Sequence, residues 1–162
     1  MRQELEQLAR LGNGAHALAT QILGNAEDAA DAVHDSFASV LSRPGAYDAN
    51  KGPLKPWFLR VVRNRCLDMI RRRRDNTDQV SELIDPAPNP EERVADHQRS
   101  ARIAAGVARL SQDKREVVVL RDFLDLSYAE IATILNIAPG TVMSRIHRAR
   151  VELKEVLGNY EE

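Results

Sequence analysis

The sequence predicts an all-α chain of two small helical domains joined by a flexible linker, the second domain a helix-turn-helix. Three observations carry the fold class. Aromatic residues make up 4% of the 162, with only eight glycines and seven prolines, too few β-favouring side chains and turn formers for a sandwich or barrel. Apolar residues recur at spacings of three and four in both halves, which is the helical period. Between the halves, Asp85-Pro86-Ala87-Pro88-Asn89-Pro90 sets prolines at alternate positions. They cannot continue a helix, and they drive the preceding residues towards extended backbone. The expected boundaries are a first domain over 1–74, a linker over 75–92 and a second domain over 93–162.

Composition narrows the class further. Hydrophobic residues are 43% and charged residues 29%, the balance of a globular chain. Apolar runs such as Val117-Val118-Val119-Leu120 fall far short of the ~20 residues that span a bilayer. Met1-Arg2-Gln3-Glu4 lacks the apolar core of a signal peptide. The expectation is a cytoplasmic protein without membrane insertion. Cys66 is the one cysteine, which excludes an internal disulfide and a multi-cysteine zinc site. The histidines at 16, 34, 97 and 147 lack ligand spacing. No metal and no cofactor are expected.

In the first domain Glu27–Leu41 reads as an amphipathic helix, with Ala30, Val33, Phe37 and Val40 on the inward face. Glu27, Asp28, Asp31 and Asp35 lie opposite. Pro44-Gly45 ends it. A second long helix runs from Trp57 to about Arg74 on the stripe Phe58, Val62, Cys66, Met69 and Ile70. Trp57, Arg60, Asn64 and Arg71 share its exposed face. Charge is segregated accordingly. Residues 51–74 hold nine basic and one acidic side chain, against three and seven over 1–50, although the whole chain nets −1. Such a block is either a polyanion-facing patch or a solvated helix, and its density favours the first.

Four helices are expected in the second domain, over about 91–109, 112–124, 127–135 and 139–157. Ser127-Tyr128-Ala129-Glu130 has the capping-box form and marks a helix start. Asn136-Ile137-Ala138 interrupts the pattern, and Pro139 suits the first turn of the next helix. There Val142, Ile146, Ala149 and Leu153 face inward, while Thr141, Ser144, Arg145 and Arg148 face outward near the N-terminal end. A short helix, a tight turn and a helix with polar early residues is the helix-turn-helix design, although a generic helical hairpin shares the pattern. Arginine reaches guanine bidentately in the major groove, and Ser or Thr can bind base or phosphate.

Asp125-Leu126-Ser127-Tyr128-Ala129-Glu130-Ile131-Ala132 followed by Pro139-Gly140-Thr141-Val142-Met143-Ser144-Arg145-Ile146-His147-Arg148-Ala149-Arg150 resembles region four of the sigma-70 family, in its extracytoplasmic-function branch. Ala30-Asp31-Ala32-Val33-His34-Asp35-Ser36-Phe37 resembles the region-two helix that docks on RNA polymerase. Pro56-Trp57-Phe58-Leu59-Arg60-Val61-Val62-Arg63-Asn64 onward resembles the helix that opens and reads the minus-ten element. The resemblance implies an RNA polymerase sigma factor that is not an enzyme. Its partners would be core RNA polymerase, promoter DNA and an anti-sigma factor. It places polymerase binding on Asp31, His34 and Asp35. DNA binding falls to Trp57, Arg60, Asn64, Arg71 and Arg72, and to Thr141, Ser144, Arg145 and Arg148. Ala30 and His34 replace the usual Glu and Gln, Met143 replaces a common Lys or Arg, and Ala138 replaces a common Ser cap. The segment ahead of Leu18–Leu23 is shorter than is common in the family.

Chemistry suits these roles. Trp57 is a plate for stacking on an unpaired base, or else a core side chain. Asn64 can hydrogen-bond an extruded base, and Arg71 to Arg74 can bind phosphates. A linker of about 18 residues reaches at most ~60 Å when extended, so two contacts on one duplex about two turns apart are within reach. One rival is a helix-turn-helix regulator with an N-terminal sensing or dimerisation domain. Another is an enzyme with a basic cleft, for which the sequence offers neither paired carboxylates beside a nucleophile nor a Gly-rich phosphate loop.

Overall fold

The computed structural model describes residues 2–76 and 96–158, and all regular structure among the described residues is helical. Two compact units form, one from the N-terminal helices and one from the C-terminal helices.

The first unit comprises α1 (Arg2–Arg10), α2 (Gly12–Leu23), α3 (Ala26–Leu41) and α4 (Leu54–Asn76). Residues ahead of Leu18 are thus helical almost from the start. Gly24 ends α2 in the left-handed region at φ 73°, where a side chain would be strained. The next residue, Asn25, caps α3 by accepting from Glu27 N and Asp28 N, which satisfies two otherwise orphaned donors. α2 packs on both α3 and α4 around Leu18, Phe58, Leu59 and Val62.

The inward face of α3 differs from expectation by one position. Ala29, Ala32, Val33 and Ser36 are buried, whereas Ala30 is exposed and Phe37 and Val40 are half-buried. The reason is packing distance. Ala15 and Ala19 of α2 are fully buried, and small residues opposing small residues let two helices approach closely, so the alanine stripe wins over the bulkier one. Ser36 enters the core because its hydroxyl donates to Ala32 O at 2.7 Å. Phe37 still reaches α4, its ring 4.7 Å from that of Phe58.

α4 begins three residues before Trp57 because Pro56 falls in its first turn, where no amide hydrogen is needed. Its described residues run to Asn76, two beyond the expected domain end at 74. The buried stripe is Phe58, Val62 and Cys66, with Leu54, Pro56 and Leu59 added; Met69 and Ile70 are half-buried. The proline run and the rest of the linker, with residues 91–95 of the next expected helix, lie outside the described residues.

The second unit comprises α5 (Asp96–Arg109), α6 (Gln112–Val118), α7 (Tyr128–Leu135) and α8 (Pro139–Gly158). The helix expected over 112–124 is present, but its last turn, Val119–Phe123, is a π turn. Leu124 N bonds back to Val119 O at 2.9 Å and Leu126 N to Leu120 O at 3.0 Å. α8 packs on α5 and α6 through Val107, Leu110, Val118 and Ala149. Gly106 permits the α5 contact, because a Cβ there would lie 3.3 Å from Leu153 Cδ2.

Candidate nucleic-acid interface

The helix-turn-helix is built by three local devices. At the start of α7, Glu130 N donates to Ser127 Oγ and Ser127 N donates to Glu130 Oε1, both at 3.1 Å, the reciprocal pair that the sequence announces. At its end, Asn136 takes the left-handed conformation at φ 55° and Ile137 N bonds to Ala132 O at 3.1 Å, a Schellman closure with Asn in place of the usual glycine. α8 then opens without a side-chain cap. The amides of Thr141 and Val142 both bond to Ala138 O, and Pro139 in the first position removes one of the amide donors that a helix start leaves without a partner.

On α8 the outward set lies where its spacing put it. Thr141, Ser144 and Arg148 are exposed and Arg145 is half-buried, while Val142, Ile146 and Ala149 are buried. Ser144 Oγ donates to Gly140 O at 3.1 Å, which leaves its acceptor lone pairs for a ligand. Met143 is exposed beside them. Two ion pairs brace this helix on the preceding segment: Arg150 with Asp122 at 2.6 Å and Lys114 with Glu152 at 2.9 Å. The hydrogen bond that Arg150 donates to the Asp122 carboxylate raises the guanidinium pKa above its ordinary value. Arg121 donates to Leu126 O at 2.8 Å and lies 4.9 Å from the Tyr128 ring centroid, tying the π turn to α7.

In the first unit, Arg60, Asn64, Arg71 and Arg72 are exposed along α4, and Trp57 at its N-terminal end is half-buried. Arg71 has Asp68 one turn back at 3.6 Å. On α3, Asp31 and His34 are exposed. The two helices are joined by charge in a way their separate reading misses. Asp35 accepts from Arg65 at 2.7 Å, and Asp28 meets Arg73 at 2.7 Å. Asp35, one of the two carboxylates expected to face the polymerase, is therefore held by α4, and Arg73, one of the four arginines expected on phosphate, is engaged by Asp28 of α3. The signal was available in an acidic helix followed directly by a basic one. Choosing which charges pair, however, required the crossing of α3 and α4.

Sequence reading also missed Tyr47. Its ring lies 5.2 Å from that of Trp57, tilted by 50°, and its hydroxyl donates to Gly52 O at 2.9 Å. Among the described residues no group of three or more His, Cys, Asp or Glu could hold a metal ion, and no helix is long and apolar enough to cross a membrane.

Residues 8–76 match sigma-70 region 2, and residues 100–153 match sigma-70 region 4. The chain belongs to the sigma-70 family of RNA polymerase sigma factors. Its curated relatives place this sigma factor in the extracytoplasmic-function (ECF) branch. It is 37% identical over 150 residues to the ECF RNA polymerase sigma factor SigE of Mycolicibacterium smegmatis, covering 90% of this chain and 58% of that one. It is 34% identical to SigM of Mycobacterium tuberculosis, covering 88% and 71%. The chain thus spans under two thirds of SigE. Among solved structures, it resembles the sigma factor RpoE in complex with the anti-sigma factor NepR from Bartonella quintana, with TM-score 0.74, 25% identity and 98% of each chain covered. It also resembles CnrH in complex with the cytosolic domain of CnrY, with TM-score 0.69, 25% identity, and 98% and 89% covered. The match of residues 8–76 to sigma-70 region 2 does not favour the regulator reading with an N-terminal sensing or dimerisation domain.

Proposed function

We propose that this chain binds core RNA polymerase and directs it to promoters, with recognition and melting of the minus-ten element by the first domain and reading of an upstream element by the second. The observation that carries this reading is the pairing of two polar, cation-bearing helix faces on separate units: α4 with Trp57, Arg60, Asn64, Arg71 and Arg72, and the start of α8 with Thr141, Ser144, Arg145 and Arg148. The α8 face suits base edges in the major groove, where arginine discriminates guanine. The α4 face suits a melted strand: arginines hold phosphates and thereby set register, while an indole stacks on a base of any identity. Asp31 and His34, exposed on α3, form the polymerase contact together with Asp35, which Arg65 of α4 engages. The protein supplies binding energy, and nucleotide addition belongs to the polymerase, which also sets a cytoplasmic site of action.

An anti-sigma factor completes the proposal, since the sigma factor RpoE named above is held in complex with one. Run-off transcription with core polymerase and a promoter library tests the reading directly. Promoter-selective transcripts that require this chain are expected. Transcription indifferent to its addition would overturn the proposal.

A further inference from the structure

We propose that Tyr47 is a positioning residue that fixes the indole of Trp57 in the orientation that receives an unpaired base. The inference rests on the reading of Trp57 as a stacking side chain and goes beyond it by assigning what holds that side chain. Neither ring belongs to the buried core; both are half-buried. The Tyr47 ring meets Trp57 at 5.2 Å and 50°, within the tilted geometry that aromatic pairs favour.

Tyr47 is itself held from its far end. Its hydroxyl donates to Gly52 O at 2.9 Å, across a single 3-10 turn, Ala49–Lys51. Asp48 secures that turn by accepting from Asn50 N at 2.9 Å, and Lys51 N bonds to Asp48 O at 3.0 Å. Gly52 leaves the turn at φ 139°, a backbone conformation that side chains other than hydrogen rarely adopt. The segment 47–52 is therefore a closed loop with one aromatic ring directed at the start of α4. An indole free to change rotamer would lose that freedom on stacking. One already held by Tyr47 has less to lose, so the same stacking contact yields tighter binding.

Trp57 is the chain's single tryptophan, so in the free chain, without polymerase, its fluorescence reports this site alone. The experiment uses holoenzyme reconstituted from the full chain and core polymerase, with forked DNA carrying the minus-ten element as a single strand. The proteins are wild type, Tyr47→Phe, Tyr47→Ala, Trp57→Ala and the double variant Tyr47→Ala/Trp57→Ala. Tyr47→Ala and Trp57→Ala should each weaken forked-DNA binding about fivefold, and the double variant should be no weaker than Trp57→Ala. Core-polymerase affinity should stay within about twofold for all of them, and Tyr47→Phe, which keeps the ring, should restore binding to within about twofold of wild type. In the full-length Tyr47→Ala chain, measured without polymerase, the Trp57 emission should become more accessible to iodide. Should Tyr47→Ala lose helical circular dichroism, Tyr47→Leu takes its place in the cycle. A silent Trp57→Ala overturns the stacking reading and the proposal together. A defective Trp57→Ala with a silent or fully additive Tyr47→Ala overturns the proposal alone.

Discussion

Arg145, half-buried, and Arg148, exposed, lie one turn apart on α8, with Ser144 beside them already donating to Gly140 O. Replacing either arginine with alanine should reduce discrimination at the upstream element by ~1–3 kcal/mol per lost base contact, and Ser144→Ala should matter less. Transcription from promoters varied at single upstream positions measures this, and unchanged preference in both arginine variants would remove them from the interface. The α3 carboxylates separate into two kinds. Asp31 is exposed and makes no ion pair among the described residues, whereas Asp35 is engaged by Arg65 at 2.7 Å. Asp31→Ala should weaken core-polymerase binding about tenfold, ~1.4 kcal/mol, with the thermal midpoint unchanged. Asp35→Ala should lower stability by less than about 1 kcal/mol, a difference that shrinks at high salt, because both partners are partly solvated. Equal stability loss in the two variants would contradict the pairing. Residue type and spacing showed which side chains point outward. They could not show that Asp28 and Asp35 have partners 45 and 30 positions away, because ion pairing across helices depends on where the helices cross.

At the scale of elements, the local signals carried furthest. Ser127 and Glu130 form the capping box their spacing announces, Asn136 closes α7, and Pro139 opens α8, because each of these devices is satisfied by backbone groups within a few residues. Inward faces were less legible. On α8 the apolar stripe was unambiguous, but α3 offers two overlapping stripes, and only its packing against neighbouring helices selects the one with alanines for burial. Gly106 shows the same dependence on a neighbour. In the middle of α5 a glycine costs helix stability relative to alanine, and its use is the approach of α8. Gly106→Val should press two methyl groups on Leu153 and Leu157, whose atoms lie 3.3 and 3.7 Å from an added Cβ, and destabilise the second unit by ~1–3 kcal/mol. Thermal unfolding followed by circular dichroism checks this. A melting temperature equal to that of wild type would mean that α5 can shift freely.

For the whole molecule, segregated charge is the feature with the widest consequence. Residues 51–74 hold nine basic side chains and one acidic, yet the chain nets −1, and α3 engages two of those cations, Arg65 and Arg73. Non-specific affinity for duplex DNA comes chiefly from uncompensated cations, so the protein without polymerase should bind promoter duplex weakly. Nanomolar affinity at physiological salt in a titration without polymerase would sink this expectation. What the sequence by itself determined was the helical class, the two-domain division, the helix-turn-helix with its outward residues, and the family, all of which rest on local periodicity and short motifs. What only the tertiary structure decided was which α3 stripe is buried, which carboxylates remain open to a partner, and that Tyr47 reaches Trp57. Those depend on helices separated in sequence meeting at particular points, and one-dimensional spacing contains no term for that meeting.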